Sequence, residues 1–231
     1  MTRTKSLVLA SVVFLFAAAG CDGEEPIAGS DSDQQAAVAD GAGLVDGSAA
    51  DGAAATPGNC VGSPAEDLCF LREEEKLARD VYIELYKRWG IPVFDNISAS
   101  EQTHTDAVRD LLAARGITDP VTDDTVGVLR DAKLAALYAQ LVGSGQASQD
   151  AALTVGATIE DLDIHDINEM RSRSSDPAVL AVYDSLRCGS RNHLRAFVSQ
   201  LASRGVTYNA QYISAQELAA IVSSSRETCG R

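Results

Sequence analysis

The stretch Asp95-Asn-Ile-Ser-Ala-Ser-Glu-Gln-Thr-His-Thr-Asp-Ala-Val-Arg-Asp-Leu-Leu112 places a glutamate, Glu101, three residues before a histidine, His104. On a helix, residues at this spacing lie on one face, so one metal ion can bind both side chains. Two such helices facing each other form a two-metal site in the core of a helical bundle. A second interpretation is a capping box, in which Ser98 begins the helix and Glu101 reaches back to it.

The apolar residues on either side of this stretch recur at helical spacing, which predicts an all-α fold. Four long helices are predicted, over residues 65–89, 97–115, 149–173 and 177–204. A shorter helix, 132–142, lies between the second and third long helices, and a last short helix follows Ser214. The proline and the polar residues of 117–127 predict a loop.

Each long helix has a polar interruption near the middle of its apolar stripe. A buried carboxylate without a partner is too costly to keep, so each interruption must reach the surface or meet a partner. In both the second and the fourth helix, a histidine comes three residues after the start of the interruption. The chain therefore reads as two similar hairpins paired around an internal two-fold axis. The interrupting residues are Glu75, with Glu74 beside it, Glu101 and His104, Glu160, with Asp163 nearby, and Ser190 and His193.

Other polar residues of these helices fall outside the stripes. Asp161 and Asp166 are predicted to be solvated, and His165 is predicted to be exposed because it is turned to roughly the opposite side of the helix from Glu160. Tyr82, one or two turns from Glu75, is interpreted either as a hydrogen-bond partner of the site or as a core residue alone, and the core interpretation is preferred.

The segment Glu75-Lys-Leu-Ala-Arg-Asp-Val-Tyr82 is similar to the Glu-x-x-Ala-Arg-x-x-Tyr signature in the first helix of rubrerythrins. With Glu101-x-x-His104 and Glu160-x-x-Asp163, the chain resembles the ferritin-like, rubrerythrin-related proteins. Over residues 71–221 it resembles more specifically a bacterial and archaeal ferritin-like family without an assigned function. The resemblance implies an antiparallel four-helix bundle that holds two metal ions, usually iron, with manganese as the alternative. The ligands it implies are Glu75, Glu101, His104, Glu160, Asp163 and His193.

The fourth helix departs from the rubrerythrin pattern at one position. Ser190-x-x-His193 stands where Glu-x-x-His is expected, so one carboxylate is missing and the number of ions is left open. The cysteine pairs of full rubrerythrins are also missing, which leaves the electron donor unknown.

Three functions remain open. The first is a di-metal oxidase or peroxidase that acts on O2 or peroxide. The second is a non-enzymatic module that binds, buffers or senses metal, and the third is a bundle used only for protein contacts. The net charge of −14 argues against nucleic acid as a partner. The oligomeric state is left open, a homodimer included.

The front of the chain predicts export. Residues 1–20 have a basic start, an apolar run and small residues before Cys21, and Ala18-Ala-Gly-Cys21 resembles a bacterial lipobox. The resemblance implies a lipid on Cys21 that anchors the chain to a membrane of the cell envelope, periplasmic or at the cell surface. Residues 21–58, which contain eight of the 33 acidic residues, form a predicted disordered spacer.

The folded domain is predicted to span 59–231. Four cysteines remain in it, and an even number in an exported protein predicts two disulfides, with three pairings open. These cysteines are Cys60, Cys69, Cys188 and Cys229.

Overall fold

The computed structural model describes residues 59–62 and 64–230. In this part of the chain there are six helices and no strand, which confirms the predicted all-α fold. The helices are α1 (Ala65–Trp89), α2 (Pro92–Ala114), α3 (Ala132–Gly145), α4 (Gln149–Arg173), α5 (Pro177–Ser203) and α6 (Ala215–Ser223). The predicted signal peptide, Cys21 and the spacer lie outside the described residues. No helix in the described ranges is long and apolar enough to cross a membrane.

The four long helices form an antiparallel bundle. Helix α1 packs against α2 and α4, and α5 packs against the same two helices. Each of these four neighbouring pairs is antiparallel, so α2 and α4 run in the same direction. The connection between them, residues 115–148, therefore travels back along the bundle and carries α3; we call it the crossover. Pairs that fix these directions are Tyr82 with Phe94, Arg72 with Thr105, Gly156 with Phe197, Arg171 with Asp184, Asp67 with Arg173, and Arg115 with Asp176.

The core has two apolar clusters, one toward each end of the bundle. One is built around the aromatic rings of Tyr82, Phe94 and Phe197, whose centroids lie 5.3–6.1 Å apart. The other includes Leu71 and Tyr183. The polar interruptions of the four stripes lie between the two clusters, so the fold brings them to one level of the bundle.

Helix α1 is buried on all sides between Leu71 and Tyr82, including its charged residues. Lys76 and Asp80 are fully buried and paired at 2.5 Å. The crossover covers them: Lys76 Nζ donates to the Thr125 carbonyl at 2.9 Å, and the Gly127 amide donates to Asp80 at 2.9 Å. Other charged residues of α1 also bond to the crossover, namely Arg72 to Asp119, Arg79 to Asp124, and Glu73 to the amides of Arg130 and Asp131.

Helix α2 begins five residues earlier than predicted. Pro92 occupies its first turn, where a missing N–H costs nothing, and Ile91 precedes it without a side-chain cap. Ser98 is thus well inside the helix, and its hydroxyl donates to the Asp95 carbonyl at 2.9 Å. The capping-box interpretation of Ser98 and Glu101 is wrong.

The prediction that Asp161 is solvated is also wrong, because its carboxylate is fully buried. It accepts hydrogen bonds from Tyr208 Oη at 2.8 Å and from the amides of Gln211 at 2.6 Å and Ile213 at 2.8 Å. These donors satisfy the buried charge. Asp161 thereby fixes the irregular segment 206–213 to α4. Asp166 is partly buried rather than fully solvated.

Two disulfides connect the four cysteines of the domain. Cys60 is bonded to Cys69 at the start of α1, and Cys188 in α5 is bonded to Cys229 in the C-terminal segment. The structure thus selects one of the three pairings that the sequence left open.

Candidate metal centre

Five of the six predicted ligands meet in the polar layer of the bundle, one from α1, two from α2, one from α4 and one from α5. The three glutamates are each 2% exposed, so their carboxyl groups are removed from water. In chain order the five are Glu75, Glu101, His104, Glu160 and His193. The sixth, Asp163, lies beside them on α4.

Glu101 is at the centre of this group. Its Oε2 atom lies 2.8 Å from Nδ1 of His104, and its Oε1 atom lies 2.7 Å from Nδ1 of His193. Ligand atoms of the three residues all lie within 4.8 Å of one another. Among the described residues, these three form the group that is compact enough to hold a metal ion.

Each histidine has a second carboxylate near the same ring nitrogen, Nδ1. Glu75 Oε2 lies 3.2 Å from His104 Nδ1, and Glu160 Oε2 lies 3.5 Å from His193 Nδ1. The site therefore consists of two half-sites, each with one histidine and one private glutamate. Glu101 is shared by both halves.

Several ligand atoms of the site are buried without a well-aligned hydrogen bond. These include Glu75 Oε1, Glu101 Oε1 and His193 Nδ1. The last two atoms are 2.7 Å apart, which is close enough for strong attraction between the charged groups, but they are not aligned as a hydrogen bond. Buried polar atoms are rarely left in this state. The donor set of carboxylates and imidazoles fits iron or manganese.

Asp163 bonds away from the histidines. The Ser190 hydroxyl donates a short hydrogen bond to Asp163 Oδ2, and it also lies 3.0 Å from the Leu186 carbonyl. The other oxygen, Asp163 Oδ1, is buried and has no hydrogen-bond partner. At the position of the missing glutamate, the chain therefore has a serine–aspartate pair.

Three further residues support the site. Tyr82 Oη donates to Glu160 Oε1 at 2.6 Å, so the interpretation of Tyr82 as a core residue alone is wrong. Ser100 Oγ lies 3.0 Å from Nε2 of His193, and this contact leaves Nδ1 facing the carboxylates. A Cβ atom on Gly189 would lie 2.4 Å from His104 Nε2, so only glycine leaves room for that ring.

Ser100 and Gly189 were missed in the sequence because neither interrupts an apolar stripe. For Gly189, its position four residues before His193 was the available signal. A glycine inside a helix weakens the helix and calls for a packing reason.

The ionisable groups of the site are buried close together, so burial and the neighbouring charges both shift their pKa values. Burial raises the pKa of Glu75 to about 7, although nearby His104 opposes the rise. Burial disfavours the protonated form of His193. The attraction of Glu101 and Glu160 outweighs this effect of burial and raises the pKa of His193 to about 10. Burial also disfavours the ionised form of Glu101, yet the attraction of the two histidines outweighs this effect and lowers the pKa of Glu101. Burial raises the pKa values of Asp163 and Glu160 as well. A cation would replace protons at these ligands.

His165, the third histidine, lies outside this group. Its side chain is 44% exposed, and its ring lies 6.4 Å from that of Tyr212. It therefore serves as a matched control for the two histidines of the site.

Residues 65–225 match a family model described as "Uncharacterized protein domain (DUF2202)". The chain belongs to the DUF2202 family. The matched part of this DUF2202 domain runs from the first residue of α1 to beyond the end of α6. It therefore contains every residue of the candidate metal centre.

A related protein from the archaeon Methanocaldococcus jannaschii, described as "Uncharacterized protein MJ0754", is 50% identical to the DUF2202 chain over 162 residues. The alignment covers 70% of this chain and 88% of that protein. The crystal structure of hypothetical protein MJ0754 from Methanococcus jannaschii superposes with a TM-score of 0.71 at 47% identity. It covers 75% of this chain and 99% of the solved one, so the two share the same domain.

Proposed function

We propose that this chain is a ferritin-like metal-binding protein whose bundle holds two ions, iron or manganese. The observation that carries the proposal is the position of Glu101, whose two carboxylate oxygens face two different histidines at 2.7 and 2.8 Å. One carboxylate shared between two imidazoles, each with its own additional glutamate, resembles the di-metal site of carboxylate-bridged bundles, with one glutamate fewer.

The topology supports the ferritin-like relationship. Antiparallel four-helix bundles with a single long crossover include the ferritin-like folds, in which inward-facing glutamates and Glu-x-x-His motifs form di-metal sites. This bundle has one such crossover, and Glu101 and His104 form one such motif. The second motif is incomplete, since Ser190 replaces its glutamate.

We assign Glu75 and His104 to one ion, Glu160 and His193 to the other, and Glu101 to both, with Asp163 as a further carboxylate on the side of Ser190. A bound pair of iron or manganese ions would supply oxidase or peroxidase chemistry with O2 or peroxide, given an external electron donor. The protein orients the ligands: Tyr82 holds Glu160, and Ser100 holds His193. Two apolar clusters exclude water on either side.

Metal analysis of the purified protein, before and after reconstitution with Fe²⁺ or Mn²⁺, tests the proposal. The expected result is about two ions per chain, as in di-metal bundles, and loss of both in Glu101→Gln. His193→Ala should lose one ion, whereas the control His165→Ala should keep both. Absence of metal from the reconstituted wild-type protein would refute the proposal.

The same preparation separates catalysis from storage. Peroxide added to the reduced, loaded protein should be consumed at a rate that depends on His193 if the chain is a peroxidase. Stable binding without turnover would instead support the buffering or sensing function. The electron donor is outside this assay, so a chemical reductant takes its place.

We further propose that the protein is exported and anchored by a lipid on Cys21. The lipobox-like Ala18-Ala-Gly-Cys21 supports this, and the two disulfides fit an oxidising compartment. Fatty-acid labelling of the protein in its host should label the wild type and fail for Cys21→Ser. Equal labelling of the two would contradict the anchor.

A further inference from the structure

The two disulfides of the domain lie in different surroundings. Cys60 and Cys69 are both buried, at 4% and 6% exposure. The second disulfide joins Cys188, which is 7% exposed, to Cys229, which is partly exposed. A thiolate breaks a disulfide by attacking one of its two sulfur atoms, so the rate depends on access to that atom. Of these four cysteines, Cys229 is the most open to a reductant in solution.

The sulfur atoms also differ in the polar groups beside them. Asn192 Nδ2 donates a hydrogen bond to Cys229 Sγ at 3.3 Å. Cys60 Sγ instead lies 3.8 Å from the carbonyl oxygen of Thr118. An N–H donor stabilises the thiolate that forms when a disulfide is reduced, whereas a carbonyl oxygen repels it. Reduction is therefore favoured at Cys229 and disfavoured at Cys60.

The side chain of Asn192 is held in the orientation that this contact needs. Its Oδ1 accepts hydrogen bonds from the Glu227 amide and from Arg195 Nη1, both at 2.9 Å. Its Nδ2 also donates to the Glu227 carbonyl at 3.1 Å. Exchanging the oxygen and the nitrogen would put donors against donors, so the network leaves an N–H group facing the sulfur.

The C-terminal segment, residues 224–230, is bound to α5 by more than the disulfide. Glu227 pairs with Arg191 through Nε at 2.8 Å and Nη2 at 2.5 Å, and with Arg195 through Nη2 at 2.6 Å. Asn192 adds its two hydrogen bonds to the backbone of Glu227. None of these contacts involves the S–S bond. The two sulfur atoms therefore stay close together after reduction and can form the bond again.

The disulfide lies on the outer face of α5. The inner face carries Gly189, Ser190 and His193, which contact the candidate metal centre. Cys188 is bonded instead to the C-terminal segment, which covers the outside of the helix. A reductant can act on this face without entering the core.

We propose that Cys188–Cys229 is a redox-active disulfide that external dithiols reduce through Cys229, whereas Cys60–Cys69 is structural. The step needs no bound metal, so this inference goes beyond the proposed function and does not depend on it.

The exchange proceeds in two displacements. One thiolate of the dithiol attacks Cys229 Sγ, the bond to Cys188 breaks, and the Cys188 sulfur leaves with the electron pair and takes up a proton. The second thiol of the reductant then attacks its own sulfur in the mixed disulfide and releases Cys229 as a thiolate beside Asn192. The dithiol becomes a disulfide. Its two electrons reduce the cysteine pair, and its two protons go to Cys188 and to Cys229 or solvent.

The test is reduction of the native full-length chain by dithiothreitol. Free thiols are alkylated at intervals, and peptide mass spectrometry assigns each label to its cysteine. Access and thiolate stabilisation both favour the second disulfide, so Cys188 and Cys229 should become free at least about tenfold faster than the internal control, Cys60 and Cys69. The rate should rise in proportion to the dithiothreitol concentration, as direct attack on the folded protein requires.

Two single-cysteine variants test which sulfur is attacked. Cys188→Ser leaves Cys229 as a free thiol, and Cys229→Ser leaves Cys188. Iodoacetamide should alkylate Cys229 about tenfold faster than Cys188, because Cys229 is more exposed and has the N–H donor. Circular dichroism checks that both variants remain helical. Faster alkylation of Cys188 would overturn the assignment of Cys229 as the point of attack.

Asn192→Asp tests the donor. The change keeps the size of the side chain and the acceptor for the Glu227 amide, but it places a carboxylate oxygen beside Cys229 instead of an N–H group. Reduction of Cys188–Cys229 should slow by about threefold or more. Asn209→Asp makes the same chemical change at an exposed residue outside this network and should keep the wild-type rate. Equal rates in the two variants would contradict the role of the donor.

The outcomes are decisive for the disulfide and separate from those for the metal centre. Equal reduction rates of the two disulfides would overturn the proposal. So would a rate for Cys188–Cys229 that does not depend on the dithiothreitol concentration, because unfolding would then control access to the sulfur. Selective reduction in a protein that binds no metal would support the redox-active disulfide and refute only the proposed function.

Discussion

Glu101 differs from the other proposed ligands because both of its oxygens face a histidine. Glu75 and Glu160 each face one histidine, whereas Glu101 connects the two half-sites. The serine at 190 removes the residue that would have shared this task. The candidate centre thus depends on a single shared carboxylate. Its geometry also depends on the residues that position the groups around Glu101.

Tyr82→Phe should destabilise the metal-free protein by about 1–3 kcal/mol, because it leaves a buried oxygen of Glu160 without its donor. The ring itself still fits between Phe94 and Phe197. Urea unfolding measures the difference. Tyr86→Phe, at an exposed tyrosine on the same helix, should change the free energy of unfolding little; an equal loss in both variants would contradict the role of the hydrogen bond.

Gly189→Ala should push the His104 ring out of place, since the new Cβ would lie 2.4 Å from Nε2. Overpacking of this kind costs about 1–3 kcal/mol. Metal content should fall as well, because His104 is a proposed ligand. Gly143→Ala is the control: no atom lies within 4 Å of its Cβ, so it should stabilise α3 by about 0.5–1 kcal/mol.

The meeting of five of the predicted ligands was predictable because each interrupts an apolar stripe, and an interrupted stripe is visible in sequence. The supporting residues were not, since Ser100 lies off the stripe and Gly189 has no side chain to notice. Asp161 was missed for a different reason. Its partners are mostly backbone amides of 211–213, and no sequence pattern displays a backbone donor.

At the scale of elements, the helix types and most boundaries followed from apolar periodicity and capping residues. The start of α2 did not, because Pro92 can end one helix or begin the next. The burial of the charged side of α1 was also not predicted from the sequence. Charges at helical spacing usually mark a solvent-facing side, but here the crossover covers them with its own charges and carbonyls.

Asp161→Asn should loosen the segment 206–213 while leaving the four long helices in place. The amide side chain cannot accept the same set of hydrogen bonds, and losing bonds to a buried charge costs about 2–3 kcal/mol. Hydrogen exchange should speed up at the amides of Gln211 and Ile213. Unchanged exchange at these two amides would show that other contacts hold the segment.

At the scale of the whole molecule, the metal-free and the loaded protein should respond to pH in opposite directions. Without metal, the raised pKa values of Glu75, about 7, and His193, about 10, stabilise the fold at low pH. That stability is present below the pKa values of the unfolded chain and is lost as pH rises through 7 and 10. Metal bound at the proposed ligands would replace their protons, so its affinity should rise with pH.

Melting temperatures measured from pH 5.5 to 9, with a chelator or with bound Mn²⁺, test this expectation. The metal-free protein should melt at lower temperature as pH rises, and the gap between the two forms should widen. Parallel curves for the two forms would contradict proton displacement at the site.

The crossover that covers α1 also has a consequence for the order of assembly. Its contacts with Lys76, Asp80 and their neighbours join residues that are about fifty positions apart, all before residue 132. The partners of the buried charges therefore emerge early, whether the chain leaves a ribosome or is threaded through an export channel. The candidate metal centre can form only after His193 has been synthesised, because His193 is the last of its residues in the chain. Newly made chains would thus bury their most costly charges first and complete the proposed metal centre last, when the second hairpin packs against the first.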